Sequence, residues 1–132
     1  IDTSALFALA NRLDQYHLEA QHFGRSWLAD QNHFTLLDWV FSESMTLITA
    51  RLGAAAAVRT GHELRHSPLY HWVALGPDDE REVWAAFQKY DDKGWSYVDC
   101  GLFVMAQRLR INQVFSFDDH FKQMPGIKRF PK

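Results

Sequence analysis

Three short apolar runs, separated by segments with helical spacing, constrain the fold more than any other feature of this sequence. The runs are HFTLL, PLYHWVAL and QVFSF, and they are rich in the aromatic and branched residues that favour strands. The segments between them carry apolar residues three or four positions apart. Helices that alternate with short apolar strands are typical of a parallel sheet covered by helices on both faces. The sequence therefore predicts an α/β protein.

The boundaries of the elements follow from caps, turn residues and periodicity. A proline followed by acids opens the segment at 77–90, and glycines are expected to break the helical segment 53–66 at Gly53 and Gly61. No internal repeat, linker or low-complexity segment interrupts the chain, so we expect residues 1–132 to form a single domain. We expect helices at 4–12, 14–31, 38–52, 53–66, 77–90 and 96–109, and strands at 33–37, 68–75 and 113–117.

Composition and charge exclude several classes of protein. With 47% apolar and 14% aromatic residues, the chain is expected to fold around a packed core. Its net charge of −2 gives no broad basic field, so contact with nucleic acid requires local patches or metal ions. The single cysteine, Cys100, excludes an internal disulfide and fits a reducing compartment. No signal pattern or membrane-length apolar run is present, and we expect a cytoplasmic protein without membrane contact.

Acidic residues follow two of the expected strands. In the stretch NQVFSFDDHF, Asp118 stands at the carboxyl end of the apolar run, and Asp2 is expected to end a strand before the first helix. Sites in open α/β sheets form at the carboxyl ends of strands. An acidic pair at a strand end is ordinarily a turn or a helix cap, so other carboxylates must be aimed at the same place to make a site.

Two further acids occupy helical segments and also have structural explanations. Glu43 falls on the same helical stripe as Val40 and Leu47, where an ionised carboxylate is costly unless it is paired, bound to metal or open to water at a solvated helix end. Asp99 lies three residues after Ser96, the spacing of a capping box, which accounts for it without any function.

If these four acids lie close together in the fold, they form a candidate metal site rather than four separate structural residues. Several carboxylates within about 4–6 Å of one another repel and raise one another's pKa unless a cation neutralises them. Ligation by oxygen alone favours a hard ion, Mg²⁺ or Mn²⁺, which keeps water ligands and accepts phosphate oxygens. The matching reaction is hydrolysis of a phosphodiester bond.

Four blocks of the sequence, in order, resemble the PIN domain family, and within it the VapC-type ribonuclease toxins of toxin–antitoxin pairs. Any one block is a weak signal, whereas four blocks in the correct order and spacing are a strong one. The resemblance covers nearly the whole chain and implies a three-layer α/β/α fold with a short central parallel sheet. The blocks are IDTSALFAL, DWVFSESMTLI, WSYVDCGLFVMAQRLRI and VFSFDDHFKQMPGIKRF.

The resemblance implies which residues form the site. Two hydroxyl residues, Ser4 and Ser116, match positions that support the carboxylates, and Asp119 falls on a variable position. The chain departs from the family at Arg110-Ile111, where Gly-Ile is common, and at Ser42, where an acid often precedes the glutamate. The implied acidic tetrad, catalytic and metal-binding, consists of Asp2, Glu43, Asp99 and Asp118.

The resemblance also implies an activity and partners: a Mg²⁺-dependent endoribonuclease, a homodimer, and an antitoxin that blocks the site. Local positive charge is expected along the path of the RNA substrate. The candidate phosphate-binding residues are Arg12, Lys93, Arg108 and Lys122. The main alternative is a PIN-like protein that binds RNA or a partner without cleaving.

A rival motif is HELRH, His62 to His66, which satisfies the H-E-x-x-H pattern of zinc metalloproteases. Ser67-Pro68 is expected to end the helix directly after it, and Leu69 and Trp72 stand where the extended form of the motif needs Gly and His. Zinc proteolysis is therefore a distant alternative. His120 is a candidate base beside Asp118, although packing or capping of the turn is the preferred interpretation.

Overall fold

The computed structural model describes all 132 residues and confirms the α/β class. Every helix and strand expected from the sequence is present, with ends that differ by at most a few residues. None of the helices has the length and apolar character that a membrane crossing requires. The helices are α1 (Thr3–Ala10), α2 (His17–Ala29), α3 (Asp38–Leu52), α4 (Ala54–His66), α5 (Pro77–Lys89) and α6 (Tyr97–Arg108). The strands are β1 (Phe34–Leu37), β2 (Tyr70–Val73), β3 (Gln113–Phe115) and β4 (Lys128–Phe130), and a 3₁₀ helix covers Asp119–Gln123.

The strands form two parallel pairs rather than one continuous sheet. β1 pairs with β2, and β3 pairs with β4. The first two residues lie between the pairs: the backbone nitrogen of Ile1 donates to the carbonyl of Thr35 (3.0 Å), and that of Asp2 donates to the carbonyl of Phe115 (3.0 Å). Asp2 is therefore held beside the carboxyl end of β3, where the sequence predicts a site.

Helices cover both faces of the strands. Consecutive strand residues point to opposite faces, and Leu36 and Leu37 are only 0% and 2% exposed, so β1 is buried on both sides. α1 packs against α2 and α3, α4 packs against α3, and α5 packs against α6. These layers set the amino ends of α1 and α6 near the carboxyl ends of the strands.

The expected break at Gly61 is wrong. α4 continues through Gly61, and a Cβ there would lie 3.2 Å from the sulfur of Met45, so this glycine permits close approach of α3. The expected break at Gly53 is present, since Gly53 separates α3 from α4 with a φ of 93°.

The expected position of Glu43 on the apolar stripe of α3 is also wrong. The buried stripe is formed by Val40, Ser44 and Ile48. Glu43 lies beside that stripe and is half-buried.

Candidate active site

Asp2 is the N-cap of α1 and is buried. An aspartate at this position accepts backbone hydrogen bonds from the first turn, which explains why the helix begins here. Its Oδ2 accepts from the backbone nitrogen of Ser4 (3.2 Å), the hydroxyl of Ser4 (2.7 Å) and the hydroxyl of Ser116 (2.8 Å). One carboxylate oxygen is therefore fixed by three donors.

Ser4 and Ser116 also fix the backbone that leads to Asp118. The hydroxyl oxygen of Ser4 accepts from the backbone nitrogen of Phe117 (2.9 Å), and that of Ser116 accepts from the backbone nitrogen of Asp118 (3.0 Å). The two hydroxyl oxygens lie 3.0 Å apart. The start of α1 and the end of β3 are thus joined by one small network of hydroxyl groups, at the place where the resemblance implies a supporting role for both serines.

Asp99 forms the capping box that its spacing predicts. Its backbone nitrogen donates to the hydroxyl of Ser96 (3.0 Å), and its Oδ2 accepts from the backbone nitrogen of Ser96 (2.9 Å). The same Oδ2 lies 3.3 Å from Nδ1 of His120. The cap therefore orients a buried carboxylate toward the end of β3, and the structural and site interpretations of Asp99 describe one geometry.

Asp118 and His120 complete a cluster with Asp99. Oδ1 of Asp118 accepts from the backbone nitrogen of His120 (2.8 Å), which caps the 3₁₀ helix, and the His120 Nδ1 lies 3.4 Å from that oxygen. The potential ligand atoms of Asp99, Asp118 and His120 all lie within 4.8 Å of one another. The preferred interpretation of His120 as a turn residue is incomplete, since its ring also faces two carboxylates. That position agrees with the alternative in which His120 lies beside Asp118.

Glu43 reaches the same place from α3. Burial raises the pKa of Glu43, and the nearby charges of Asp2, Asp99 and Asp118 raise it further. The hydroxyl of Thr3 opposes this rise in pKa, although it lies outside the limits of a full hydrogen bond. The three aspartates are therefore within electrostatic reach of Glu43.

The pKa of Asp99 is affected in the same way. Burial raises it first, hydrogen bonds from Ser96 lower it, and the charges of Asp2 and Asp118 raise it. Asp99 and Asp118 thus lie within ligand distance of each other, and the charges of Asp2 and Asp118 affect the pKa of both Asp99 and Glu43.

The oxygen atoms left over fit a divalent cation. In Asp2 and Asp99 the protein hydrogen bonds fall on Oδ2, and in Asp118 they fall on Oδ1. The second oxygen of each aspartate accepts no protein hydrogen bond. One oxygen of each side chain is positioned and the other is free, an arrangement that suits a hard cation with carboxylate ligands.

Asp119 takes no part in the cluster. Its side chain is 75% exposed, and its Oδ1 lies 2.7 Å from the ammonium group of Lys122. The hydrogen bond and the charge of Lys122 lower the pKa of Asp119. Of the two adjacent aspartates, Asp118 faces the other acids and Asp119 faces solvent.

Arg108 does not lie near the carboxylates, which corrects the sequence prediction. It is the last residue of α6, whereas Asp99 lies in the first turn, about 13 Å away along the helix axis. Its guanidinium pairs with the carboxylates of Asp79 and Glu82 on α5. It is therefore a contact between two helices.

The other three candidate cations are exposed. Lys93 lies in the turn before α6, at the same end of that helix as Asp99, with its Nζ 3.6 Å from Asp92. Lys122 pairs with Asp119 in the 3₁₀ helix. Arg12 follows α1 and has no acidic partner within ion-pair distance.

The HELRH motif does not form a zinc site of three ligands. His62, Glu63 and His66 are exposed at the end of α4, and Nδ1 of His66 donates to the carbonyl of His62 (2.8 Å). The helix ends at His66, as its sequence predicts. The group of three potential metal ligands that the structure does form is Asp99, Asp118 and His120.

A cluster of carboxylates at the carboxyl ends of short parallel strands, enclosed by helices, is the arrangement that the resemblance to PIN-domain nucleases implies. No family model matches the sequence. The 23S rRNA-specific endonuclease VapC20 of Mycobacterium tuberculosis, from strains CDC 1551 / Oshkosh and H37Rv, is 28% identical over 132 residues, which is 100% of this chain and 98% of the relative. This full-length match supports the resemblance to VapC-type PIN-domain ribonucleases that the four sequence blocks indicated.

The fold supports the same relationship. A solved structure of Mycobacterium tuberculosis VapC20, described as a Sarcin-Ricin loop cleaving toxin, superimposes with a TM-score of 0.84 at 27% sequence identity. The match covers 94% of this chain and 92% of that one. The structural similarity therefore extends over most of the chain.

Proposed function

We propose that residues 1–132 act as one PIN-like domain that hydrolyses RNA phosphodiester bonds with Mg²⁺ or Mn²⁺. The observation that carries this proposal is the pattern of hydrogen bonds accepted by the carboxylate oxygens. Each aspartate of the cluster has one oxygen fixed by the protein and one without a protein donor. The proposed ligands, which are also the catalytic carboxylates, are Asp2, Glu43, Asp99 and Asp118.

Mg²⁺ at this site would supply positive charge to the phosphoryl oxygens and activate water for attack. The chain's own residues hold the carboxylates at their places. Ser4 and Ser116 fix Asp2, the Ser96 cap fixes Asp99, and the backbone of His120 fixes Asp118. Because these donors are supplied by the fold, the acids are gathered before RNA or metal arrives, and little reorganisation is needed.

Phosphate groups on either side of the cleaved bond require cations on the protein. We propose Lys93, Lys122 and Arg12 for this role. Lys93 and Lys122 are exposed in segments next to the site, and Arg12 is exposed in the loop between α1 and α2. Lys93 and Lys122 have acidic neighbours that a phosphate can replace as partners. Binding through such local contacts is compatible with a net charge of −2.

The proposed substrate is ribosomal RNA, at the sarcin–ricin loop of the 23S molecule. The support is the full-length relationship to a protein described as specific for 23S rRNA and as cleaving that loop. We further propose that the protein is the toxin of a type II toxin–antitoxin pair in the cytoplasm, and that the antitoxin blocks the carboxylate site.

We also propose a homodimer. Two large aromatic side chains of α5, Trp84 and Phe87, are exposed and contact Tyr97 at the start of α6. Adjacent exposed aromatic residues are uncommon on a monomer's surface and are enriched at interfaces between proteins. A second copy of the chain would cover them.

The proposed activity is tested with a hairpin RNA that copies the sarcin–ricin loop and with a hairpin of unrelated loop sequence. We expect Mg²⁺ or Mn²⁺ to support cleavage at one position of the first hairpin, EDTA to abolish it, and the second hairpin to be cut much more slowly. Binding of the first hairpin without cleavage under every condition would favour the non-cleaving alternative. Equal cleavage of both hairpins would contradict the proposed substrate.

A further inference from the structure

Two aromatic rings form a stack at the edge of the carboxylate site. Tyr16, between α1 and α2, and Phe117, after β3, have ring centroids 4.5 Å apart and ring planes inclined by only 9°. Phe117 is half-buried and Tyr16 is 38% exposed. The tyrosine therefore keeps solvent-accessible surface while it stacks on Phe117.

The stack is tied to the proposed catalytic residues by short links. The backbone nitrogen of Phe117 donates to the hydroxyl of Ser4 (2.9 Å), and that hydroxyl donates to Oδ2 of Asp2 (2.7 Å). Phe117 also directly precedes Asp118. The stack is therefore joined through Phe117 to the segment that carries Asp118 and to the start of α1.

The loop that carries Tyr16 is held by its own side chains. The backbone nitrogen of Tyr16 donates to Oδ1 of Asp14 (2.8 Å), and that of Leu13 donates to Oδ1 of Asn11 (3.1 Å). Nδ1 of the next residue, His17, which is buried, donates to the carbonyl of Ala8 (2.7 Å). A ring already fixed by such bonds loses little conformational entropy when a ligand stacks on it.

The neighbours of Tyr16 suit a nucleic acid. Arg12 is exposed and has no acidic partner within ion-pair distance, so its charge is available to a phosphate. Leu13, in the same loop, is 94% exposed, which leaves an apolar side chain in contact with solvent. Single-stranded RNA is bound by aromatic side chains that stack on its bases and by cations that contact its backbone.

We propose that the Tyr16–Phe117 stack binds an unpaired nucleobase next to the cleaved phosphate and so selects RNA that is single-stranded at the carboxylates. This inference rests on the proposed ribonuclease function and adds the means by which the strand is held. Stacking accepts any base, so this contact selects unpaired RNA by shape and leaves the choice of sequence to other contacts.

The test combines a change in the protein with a change in the RNA. The probe is the sarcin–ricin hairpin, intact or with one abasic nucleotide at each loop position in turn. We expect Tyr16→Leu to slow single-turnover cleavage of the intact hairpin about 5- to 20-fold, and Tyr16→Phe to stay within about twofold of the parent. At one loop position, the abasic nucleotide should slow cleavage by the parent about as much as Tyr16→Leu slows cleavage of the intact hairpin. The same abasic nucleotide should not slow cleavage by Tyr16→Leu any further.

Trp72→Leu is the matched control. Trp72 is also 38% exposed but packs against Phe41 and Arg65 beside α4. We expect this variant to cleave the intact hairpin as the parent does, and thermal midpoints identify any variant that is partly unfolded. Parental cleavage by Tyr16→Leu, or equal responses of both proteins to every abasic hairpin, would overturn the inference.

Failure of the proposed function gives a different result. If the parent cuts none of the hairpins in Mg²⁺ or Mn²⁺, the ribonuclease proposal fails. Fluorescence anisotropy then measures the binding of the same RNAs by the parent and by Tyr16→Leu, which tests the stack independently of cleavage. The stack is supported if Tyr16→Leu binds the intact hairpin more weakly than the parent does, and if both proteins bind one of the abasic hairpins with the same affinity. Equal binding by the two proteins contradicts it.

Discussion

Ser116 donates a 2.8 Å hydrogen bond to Oδ2 of Asp2, which joins residues 114 positions apart in the chain. Ser116 is fully buried, and its hydroxyl oxygen also accepts from the backbone nitrogen of Asp118. One small side chain therefore sets the positions of two acids of the site. It can do so only because β3 and the start of α1 lie side by side.

Replacement of Ser116 by alanine should reduce Mg²⁺-dependent cleavage about 10- to 100-fold, because Asp2 loses a donor and Asp118 loses the acceptor of its backbone nitrogen. The matched control is Ser44→Ala, since Ser44 is equally buried and its hydroxyl has no hydrogen-bond partner. We expect the control to keep parental activity. Cleavage rates and thermal midpoints check both variants, and equal activity of the two would exclude a positioning role for Ser116.

Glu43→Gln should stabilise the protein in EDTA at neutral pH. Burial and the neighbouring acids raise the pKa of Glu43 in the folded state, so ionisation of this carboxyl opposes folding. The cost is absent below the ordinary carboxyl pKa, where Glu43 is protonated whether folded or not, and it grows as pH rises through the raised value. We expect a midpoint about 2–4 °C above the parent's at pH 7 and no difference near about pH 4.

The control for this prediction is Glu63→Gln, on the exposed face of α4. It should change the midpoint little at either pH. Mg²⁺ should raise the parent's midpoint more than that of Glu43→Gln, because the variant has lost a proposed ligand. A parent more stable than Glu43→Gln in EDTA at pH 7 would show that Glu43 is not under electrostatic strain.

The HELRH motif should be dispensable. Replacing His62 and His66 together by alanine should leave Mg²⁺-dependent cleavage within a few-fold of the parent, because both rings are exposed and lack a third ligand. Metal analysis of the purified protein checks the rival interpretation directly. Stoichiometric zinc in the parent that is lost in the double variant would revive the protease hypothesis.

Light scattering at micromolar concentration should give a mass about twice 15.4 kDa. Trp84→Glu with Phe87→Glu should convert the dimer to a monomer, because two charges would replace the aromatic surface of α5. Val58→Glu, which alters an exposed apolar residue of α4, should leave the dimer intact. A monomeric parent would contradict the proposal.

The sequence predicts the elements well because caps and periodicity act over a few residues. Ser96 and Asp99 illustrate this, since their spacing alone gives the capping box that the structure contains. The four candidate acids were singled out for a similar reason, because the sequence places each at a strand end, at a helix start or on a helix stripe.

Other features depend on contacts between segments distant in the chain. Arg108 was expected near RNA, but the length of α6 separates it from Asp99, and Asp79 and Glu82 on the adjacent helix bind it. The stack of Tyr16 on Phe117 has no local signal, because nothing in either segment indicates that the other lies against it.

The most direct test of the carboxylate site compares Asp118→Asn with Asp119→Asn. These neighbours differ in structure: Asp118 lies within ligand distance of Asp99 and His120, whereas Asp119 pairs with Lys122 at the surface. The measurement is the single-turnover rate of hairpin cleavage in saturating Mg²⁺, with thermal midpoints to exclude unfolding. We predict that Asp118→Asn loses at least about 100-fold in rate and that Asp119→Asn stays within about threefold of the parent. Loss of cleavage in Asp119→Asn with retention in Asp118→Asn, or normal cleavage by both, would contradict the assignment of the site.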